Sequence, residues 1–508
     1  MMTSVSRQTQ ISLNTLLQGY VDESNLINVE VTGLSSNSSK VKKGDLFVAL
    51  AGLTRHAMDY VKEVIDAGAV AIIYDANDSY CLQRIPLLEK QYNVSFIPVE
   101  NLQQNLGEIA SRFYAYPSQQ FTLIGITGTD GKTSVTHLLI QALNKLNKKA
   151  GSVGTLGYGL SNQLKVTSYT TPDAITLQSI LFELSIGSSE YVVMEVSSHA
   201  LEQFRVSGCQ FDIAALTNLG SDHLDYHGDL EHYREAKSRL FSKQSLTGRV
   251  LNLDDDFGIS LAQTYKGDNV INYSVDATSD VVADVKLLSS MMTDQGIKIT
   301  VTTPAGLLTI QTGLIGAFNI NNLLCCISVL LQLNFELNQI ERCMQDLQPI
   351  PGRMEYFPSV NHKAAVVIDF AHTEQALSAC INSLKNYCEG NIICIFGCGG
   401  DRDQSKRPKM AAVAEQLADQ VIVTDDNPRN EPPEQIMRDI LTGFVNPERV
   451  RIIHDREIAI ETALAEASEQ DLVIVAGKGH EQFQIVGKKR IPFSDHYVVK
   501  QNRIGTVL

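Results

Sequence analysis

The chain has 508 residues, more than one hydrophobic core usually serves, so several domains are expected. Its net charge of −15 argues against nucleic acid as a partner. The 9 cysteines are scattered without a Cys-x-x-Cys pair, which indicates buried thiols in a reducing cytosol rather than a zinc site or disulfides.

The N-terminal region, residues 1–117, is predicted to form a first domain. Residues 1–8 contain no apolar stretch of signal-peptide length, so we expect a cytoplasmic protein. Asp45–Leu50 and Ala69–Tyr74 are predicted as buried strands with an amphipathic helix between them. Pro117, in the polar run that ends at Gln120, predicts a linker to the next domain.

Residues 118–349 are predicted to form a central domain on a mostly parallel sheet. The short apolar strand Leu123–Thr127 leads through a glycine-containing loop into a helix with one apolar face. Tyr191–Val196 and Phe211–Thr217 are predicted as further buried strands, and alternating strands and helices imply a sheet flanked by helices. The longest apolar run, Leu323–Leu333, is too short to cross a bilayer, so the chain is not expected to be membrane-embedded.

Residues 350–508 are predicted to form a C-terminal Rossmann-like α/β domain. Four apolar strands, each ending in polar residues or glycine, are predicted here at Ala364–Asp369, Ile392–Phe396, Gln420–Thr424 and Leu472–Ala476. In open α/β sheets ligands bind beyond the carboxyl ends of the strands. The residues after these strands are therefore candidates for a binding site.

A phosphate-binding loop is predicted where the strand Leu123–Thr127 leads into its helix. Glycine lets backbone N–H groups approach phosphate oxygens, and a helix N-terminus adds positive potential. Lys132 can neutralise phosphate charge, and the Thr133 hydroxyl can ligate Mg²⁺. The complete Walker pattern needs a glycine where this chain has Ile126, so an incidental turn is the alternative. The strand–loop–helix context favours nucleotide binding.

Acidic and histidine residues follow two neighbouring predicted strands. Glu195 closes one strand, and Asp222, His223 and His227 follow the next. Carboxylate oxygens with one imidazole suit Mg²⁺ that bridges phosphates better than they suit zinc. One histidine alone would be interpreted as structural, but two such groups at neighbouring strand ends favour a site. Lys237 alone would be interpreted as a solvated helix lysine.

Several segments occur in an order that resembles the Mur ligase family, ATP-dependent enzymes that add amino acids to the peptidoglycan precursor. They are Thr127–Thr133, Glu195–His199, Asp222–His227, Gly316–Asn322, Gly352-Arg353 and Asp369–Thr373. The resemblance covers nearly the whole chain. It implies an α/β fold of three domains, with a central P-loop-type, mostly parallel sheet and a C-terminal Rossmann-like α/β domain.

The resemblance implies an ATP site, a metal site and three catalytic residues. The catalytic residues would be Lys132, His223 and Lys237. Mg²⁺ would be held by Thr133, Glu195, His223 and Lys237, the last as a carbamate. Asn319 would face adenine, and the residues implied at ATP are Gly128, Thr129, Asp130, Gly131, Lys132, Thr133, Ser134, Asn319, Arg353 and Asp369.

The resemblance also implies which molecules are joined. Within the family the chain is most similar to ligases that act on UDP-N-acetylmuramoyl-L-alanyl-D-glutamate. The residues implied at this UDP substrate are Leu34, Ser36, Thr170, Thr171, Ser197, Gln203 and Arg205. Those implied at the added amino acid are Arg402, Asp426, Asn427, Pro428, Arg429, Gly477 and Glu481.

The segment Asp426–Arg429 resembles the family motif that selects meso-diaminopimelate. This amino acid differs from lysine by a second carboxylate, which a guanidinium can bind in bidentate fashion. An unpaired Arg429 beside lysine would penalise the wrong substrate. Glu481 is suited to an ammonium group.

The expected reaction is an ATP-dependent amide formation. The γ-carboxylate of D-glutamate would attack the γ-phosphate of ATP, and the amine of meso-diaminopimelate would attack the resulting acyl phosphate. We expect a monomer that acts on small-molecule substrates and closes its domains around ATP. The alternatives are the lysine-adding ligase of the family, a folylpolyglutamate synthetase-like ligase, or, in another class, an ATP-gated binding or motor-like protein.

Some positions depart from the usual family pattern. Asp130 replaces a usual Asn, Ser134 a common Thr, and Phe370 a usual Tyr. Glu374-Gln375 replaces a common Pro-Asp, and Asn37 lies where arginine is often found. None of these departures removes a charged catalytic group.

Overall fold

The protein is described from a computed structural model that covers residues 10–22, 27–52, 55–160, 163–167, 169–220, 222–267, 269–276, 282–293, 296–360 and 362–504. The chain forms three successive α/β units, each built on its own sheet. Residues 1–8, on which the expectation of no leader segment depends, lie outside the described residues.

The N-terminal unit is a four-stranded parallel sheet with helices around it. Its strands, in sheet order, are Gly33–Ser35, Asp45–Ala49, Ala71–Asp75 and Ser95–Val99. The α-helices of this unit are Leu13–Leu17, Val61–Asp66, Ser79–Gln91 and Leu102–Phe113. A small antiparallel pair, Ile11–Ser12 with Glu30–Val31, lies beside them. Both strands predicted here are confirmed to within two residues at each end.

The predicted linker is packed rather than extended through solvent. Pro117–Gln119 form one 3₁₀ turn, and Pro117 and Ser118 are buried. The Ser118 hydroxyl accepts a hydrogen bond from the Gln210 backbone N–H at 3.1 Å, which ties this segment to the central unit. The polar composition predicts a linker, and the Ser118 bond gives this linker a partner inside the fold.

The central unit is a ten-stranded sheet, parallel in its middle and antiparallel at its ends. In chain order its strands are Thr122–Thr127, Ala150–Gly154, Gly157–Leu160, Tyr191–Glu195, Ile213–Leu216, Gly248–Asn252, Val270–Ser274, Val285–Thr293, Gly296–Thr303 and Gly306–Thr312. The α-helices are Lys132–Lys145, Ala174–Ile186, Ser198–Glu202, Leu224–His227, Leu230–Phe241, Asp256–Thr264, Phe318–Gln332 and Leu337–Met344. The apolar helix Phe318–Gln332 is buried on nearly all sides because it packs between the sheet and its neighbouring helices.

The C-terminal unit is a six-stranded sheet of the predicted kind. Its strands, in sheet order, are Glu355–Phe357, Ala365–Asp369, Leu472–Ala476, Ile392–Phe396, Gln420–Val423 and Arg451–Ile452, all parallel except the first. The α-helices are Glu374–Leu384, Lys406–Leu417, Pro433–Leu441, Arg456–Glu466 and Asp495–Ile504. A short hairpin of Phe483–Val486 and Lys489–Pro492 follows the last parallel strand.

The register of the central sheet brings the predicted site segments to one edge. Glu195 pairs with Ile126, and Leu216 pairs with Thr127, so the residues after these three parallel strands are neighbours. The three-domain α/β class with a mostly parallel central sheet is confirmed. Among the described residues, no helix has the length and apolarity needed to cross a bilayer.

Candidate functional site

The phosphate loop connects the strand Thr122–Thr127 to the helix Lys132–Lys145, as predicted. Gly131 caps this helix with φ at 82°, a left-handed conformation that favours glycine. The Thr217 hydroxyl donates to the Asp130 carbonyl at 2.6 Å, and the Asp130 N–H donates to the Asn218 side chain at 2.9 Å. The loop is therefore held by the end of the neighbouring strand in a shape that points helix N–H groups toward a phosphate.

Three cations converge on this loop. The Lys132 ammonium donates to the carbonyls of Gly128 and Thr129 at 2.8 and 2.7 Å, and the Lys237 ammonium donates to the Gly128 carbonyl at 2.8 Å. Burial lowers the pKa of Lys132 and of Arg353. Burial, followed by the nearby charge of Lys132, holds the pKa of Lys237 well below its usual range. An anion in this place would relieve the repulsion, because each positive group would gain a partner.

Lys237 corrects the interpretation that its sequence alone suggested. It is 1% exposed, and its ammonium lies 4.4 Å from the centre of the Tyr233 ring. It is therefore not a solvated helix lysine. The lowered pKa makes the neutral amine easier to reach than it is in an exposed lysine, and the neutral amine is the form that reacts with CO₂ to give a carbamate.

Glu195 is fixed by three donors at the tail of its strand. Its Oε2 accepts from the Thr133 hydroxyl at 2.8 Å and from the Thr155 hydroxyl at 3.0 Å. Its Oε1 accepts from the Thr155 backbone N–H at 2.8 Å. These bonds aim the carboxylate at the phosphate loop and leave lone pairs on Thr133 and Glu195 for a cation.

These groups line one cavity of about 270 Å³ between the central and C-terminal units. Of the predicted residues, those lining it are Thr129, Asp130, Gly131, Lys132, Thr133, Ser134, Thr170, Glu195, Ser197, His223, Lys237 and Arg353. Asp222, which the sequence places with His223 and His227 in a candidate site, also lines it. So do seven residues for which no role was predicted: Thr155, Ser198, Tyr233, Phe370, His372, Thr373 and Gln375. For Phe370, its place in the Asp369–Thr373 motif was the available signal.

A stack of side chains from the C-terminal unit closes one side of the cavity. The guanidinium carbon of Arg353 lies 4.3 Å from the centre of the Phe370 ring. The ring of His480 lies 5.3 Å from the same phenyl ring, centre to centre. Burial lowers the pKa of His480 to about 4, so its ring is neutral at pH 7. Phe370, where the family usually has Tyr, thus supports Arg353 with an aromatic face.

Three residues predicted at ATP, namely Gly128, Asn319 and Asp369, are not among those that line the cavity. Asn319 is buried, and its amide donates to the Ile315 carbonyl at 2.7 Å and accepts from Asn322 at 2.8 Å. Asp369 accepts from the backbone N–H groups of Met354 and Ala371 at 2.7 and 2.8 Å, and burial raises its pKa. Asp369 therefore fixes the turn that carries Arg353. Contacts of Asn319 and Asp369 with adenine or ribose stay predictions.

The residues predicted at the UDP substrate are spread over two units. Arg205 donates to the Thr171 carbonyl at 2.9 Å and to the Gln203 side chain at 3.0 and 2.6 Å. Gln203 lines a second, polar cavity of about 400 Å³ between the N-terminal and central units. Ser36 is exposed, but Leu34 packs in the core of the N-terminal unit. Contact of Leu34 with a nucleotide stays a prediction.

The residues predicted at the added amino acid follow adjacent strands of the C-terminal sheet. Arg429 donates from Nη1 to the Gly400 carbonyl at 2.7 Å, and burial, followed by the charge of Arg402, lowers its pKa. Gly477 lies so close to Asp426 that a side chain there would meet the carboxylate at 2.8 Å. Glu481 accepts from the Asn427 amide at 2.8 Å. The structure thus brings the predicted residues of this group together, with Pro428 buried between Asn427 and Arg429.

Another group of possible metal ligands lies in the N-terminal unit, at His56, Asp78 and Cys81. His56 Nδ1 accepts a hydrogen bond from the Met58 backbone N–H at 3.0 Å, so Nε2 of the neutral ring carries the proton. That nitrogen lies 2.9 Å from the Asp78 carboxylate, to which it donates. Burial raises the pKa of Cys81 to about 12. The histidine nitrogens and the Asp78 carboxylate are thus engaged in hydrogen bonds within the fold, and the group is interpreted as a hydrogen-bonded cluster rather than a metal site.

Family models match three parts of the chain. The model described as Mur ligase family, catalytic domain matches residues 30–114. The Mur ligase middle domain matches residues 126–330, and the Mur ligase, glutamate ligase domain matches residues 352–479.

Individual proteins are similar over nearly the full length. The UDP-N-acetylmuramoyl-L-alanyl-D-glutamate--2,6-diaminopimelate ligase of Coxiella burnetii is 43% identical over 470 residues, which cover 92% of this chain and 94% of that protein. A solved structure of a ligase with the same name is 31% identical with a TM-score of 0.68, over 97% of this chain and 98% of that one. The folylpolyglutamate synthase of Mycobacterium tuberculosis, complexed with ADP and AMPPCP, is 16% identical with a TM-score of 0.61, over 78% of this chain and 96% of that one. This last likeness concerns the fold alone.

Proposed function

The chain belongs to the Mur ligase family, and from this premise we propose that it joins meso-2,6-diaminopimelate to UDP-N-acetylmuramoyl-L-alanyl-D-glutamate in peptidoglycan precursor synthesis. The enzyme is an ATP-dependent, amide-forming ligase. The new bond links an amine of diaminopimelate to the γ-carboxylate of D-glutamate.

One observation supports this proposal most directly. The loop Gly477–Glu481 contacts both the phosphate cavity, through His480 beside Phe370 and Arg353, and the Asp426–Arg429 motif, through Glu481. The cavity proposed to bind phosphate and the residues proposed to bind the amino acid are therefore adjacent. An enzyme that activates a carboxylate with ATP and then adds an amino acid needs this adjacency.

The first step is proposed to be phosphoryl transfer to the acceptor carboxylate. An oxygen of the D-glutamate γ-carboxylate attacks the γ-phosphorus of ATP, the bond to the β–γ bridging oxygen breaks, and ADP leaves. Lys132 and Arg353 stabilise the negative charge that spreads over the phosphoryl oxygens. The remaining loop residues hold the triphosphate through backbone N–H groups.

Mg²⁺ fits the donor set of this cavity. Thr133, Glu195, His223 and a carbamate on Lys237 would supply mostly oxygen ligands, which suit a hard cation. When bound, the ion supplies positive charge beside the triphosphate. The hydroxyl of Thr133 keeps lone pairs for this role while it donates its proton to Glu195.

The second step is proposed to form the amide. The neutral amine of diaminopimelate attacks the acyl carbon, a tetrahedral intermediate forms, and phosphate leaves as the amine loses its proton. Arg402 and Arg429 are proposed to bind the distal carboxylate, while Asp426 and Glu481 receive ammonium groups. The lysine-adding alternative is less well supported, because the similar full-length relative is named as a diaminopimelate ligase.

Three further expectations belong to this proposal. Domain limits near residues 117 and 349 are proposed, because they separate the four-stranded, ten-stranded and six-stranded sheets from one another. The UDP moiety is proposed to bind between the first two domains, near Gln203 and Ser36. A cytoplasmic location agrees with the 9 cysteines, all of which are free thiols, and the protein is proposed to act as a monomer.

The proposal is tested by measuring ADP release and the mass of the product. Purified protein with Mg²⁺, ATP, the UDP-dipeptide and diaminopimelate should release ADP and form a UDP-tripeptide, while omission of any one substrate should prevent tripeptide formation. Lys132→Ala should abolish turnover and keep the fold. Absence of both products with the complete mixture would contradict the proposal.

A further inference from the structure

Lys478 is a fully buried cation beside the predicted amino-acid pocket. Its side chain is 0% exposed, and its ammonium donates to Glu481 Oε2 at 2.7 Å and to Asn427 Oδ1 at 3.2 Å. Lysine is almost never fully buried unless it is paired, because desolvation of its charge is unfavourable. Both partners belong to the residues predicted to bind the amino acid, while Lys478 itself has no assigned role.

A third hydrogen bond closes a triangle among these side chains. Asn427 Nδ2 donates to Glu481 Oε2 at 2.8 Å, and Asn427 Oδ1 also accepts from the Ile485 backbone N–H at 2.9 Å. The Asn427 amide can therefore face only one way, since turning it would direct its NH₂ group toward two donors. Lys478 thus fixes Asn427 and Glu481 at the same time.

We propose that Lys478 is a positioning residue of the amino-acid site, which orients Glu481 and Asn427 toward the incoming diaminopimelate. This inference rests on the proposed function. Two donors occupy Glu481 Oε2, so Oε1 is the oxygen left to receive an ammonium group of the substrate. The positive charge of Lys478 also offsets the negative charge of the Glu481 carboxylate and holds that carboxylate in place.

The effect of Lys478 should therefore be confined to one substrate. In Lys478→Met, a side chain of similar length fills the space without a charge. The KM for diaminopimelate is expected to rise about tenfold to a hundredfold, as happens when a ligand-orienting partner is lost. The KM values for ATP and for the UDP-dipeptide are expected to stay within about twofold, because their residues keep their contacts.

A half-buried lysine of the central unit offers a control. Lys243 donates to the backbone carbonyls of Val206, Ser207 and Cys209 at 2.9, 3.3 and 3.3 Å, far from this pocket along the chain. Lys243→Met should lower the melting temperature without changing the KM for diaminopimelate. Lys478→Ala serves as the second variant if Lys478→Met does not fold.

A double variant shows whether Lys478 acts through Glu481. In a Glu481→Gln background, Lys478→Met should change the KM for diaminopimelate by less than about twofold, since the group it orients has already been altered. An additional rise as large as in the wild-type background would contradict this route.

Two results would overturn the inference. In one, Lys478→Met leaves the KM for diaminopimelate unchanged in a protein whose wild type is active. In the other, all three KM values rise together, which shows that Lys478 only braces the fold. If the wild type forms no amide with diaminopimelate, the proposed function itself is wrong. This outcome differs from an active wild type whose KM for diaminopimelate is unchanged by Lys478→Met, in which case only the role of Lys478 is wrong.

Discussion

Replacing Arg429 by methionine should weaken binding of diaminopimelate and should not weaken binding of lysine, because the guanidinium that lysine leaves unpaired is gone. Arg429 is pinned by its backbone, whose N–H donates to the Ile485 carbonyl at 2.9 Å and whose carbonyl accepts from the Gly487 N–H at 2.7 Å. Its Nη1 donates to the Gly400 carbonyl, so the edge formed by Nε and Nη2 can receive a carboxylate. Methionine keeps the unbranched stem and removes the whole guanidinium, which includes this fork and the Nη1 bond to Gly400.

The size of the effect follows from the contact that is lost. A hydrogen bond to a charged group contributes about 1.5–3 kcal/mol, so loss of the fork should raise the KM for diaminopimelate about tenfold to a hundredfold or more. The fold should be little affected, because burial and the charge of Arg402 disfavour the charged form of the Arg429 guanidinium. Replacing Arg429 removes the repulsion between the two arginines.

The assay is steady-state ADP release with diaminopimelate or lysine as the varied amino acid. Arg438→Met is the control, because Arg438 lies on the helix Pro433–Leu441 and its Nη2 donates to Gln435 at 2.8 Å on the surface. Equal losses with both amino acids, or an unchanged KM for diaminopimelate, would refute the role of Arg429 in selecting the second carboxylate.

Three other changes have defined outcomes. Glu195→Gln should raise the Mg²⁺ concentration needed for half-maximal ADP release about tenfold to a hundredfold, and an unchanged requirement would exclude Glu195 as a ligand. In CO₂-free buffer Lys237 is a free amine whose pKa is lower in the folded than in the unfolded protein. Because the unfolded state binds this proton more tightly, the free energy of unfolding increases as pH rises toward about 10.4. Lys237→Met should lose this part of the slope of unfolding free energy against pH, whereas equal slopes would contradict the depressed pKa. Asp495→Ala leaves the 0% exposed Arg456 without its carboxylate and should lower the free energy of unfolding by about 3–5 kcal/mol in denaturant titrations, while Asp66→Ala, which removes an exposed pair with Lys62, should change it by less than about 1 kcal/mol.

Apolar runs made the sheets predictable from the sequence. The strands Thr122–Thr127, Tyr191–Glu195 and Leu472–Ala476 are runs of residues that are buried except for the half-buried Thr122 and Tyr191, as expected for strands covered by helices on both faces. The sequence alone therefore predicts that the residues after these strands lie at the carboxyl edge of their sheet. Glu195 in particular lies beside the phosphate loop because its strand is parallel to the strand before that loop.

Other parts of the site had no local signal. Thr155 follows Ala150–Gly154, a strand with two glycines and a serine that lacks the apolar pattern, so its bonds to Glu195 were not foreseen. Lys237 looked like a solvated residue because its burial depends on the packing of Tyr233 and the loop carbonyl of Gly128. Lys478 and Glu481 form their pair inside a loop, where spacing does not indicate which side chain faces inward.

The central claim concerns which amino acid is joined, and a direct competition tests it. With ATP, Mg²⁺ and the UDP-dipeptide held constant, the purified protein is given equal concentrations of meso-diaminopimelate and lysine, and the two UDP-tripeptides are separated by mass. The account predicts that the diaminopimelate product dominates and that Arg429→Met reduces this preference. A dominant lysine product in the wild type would contradict it.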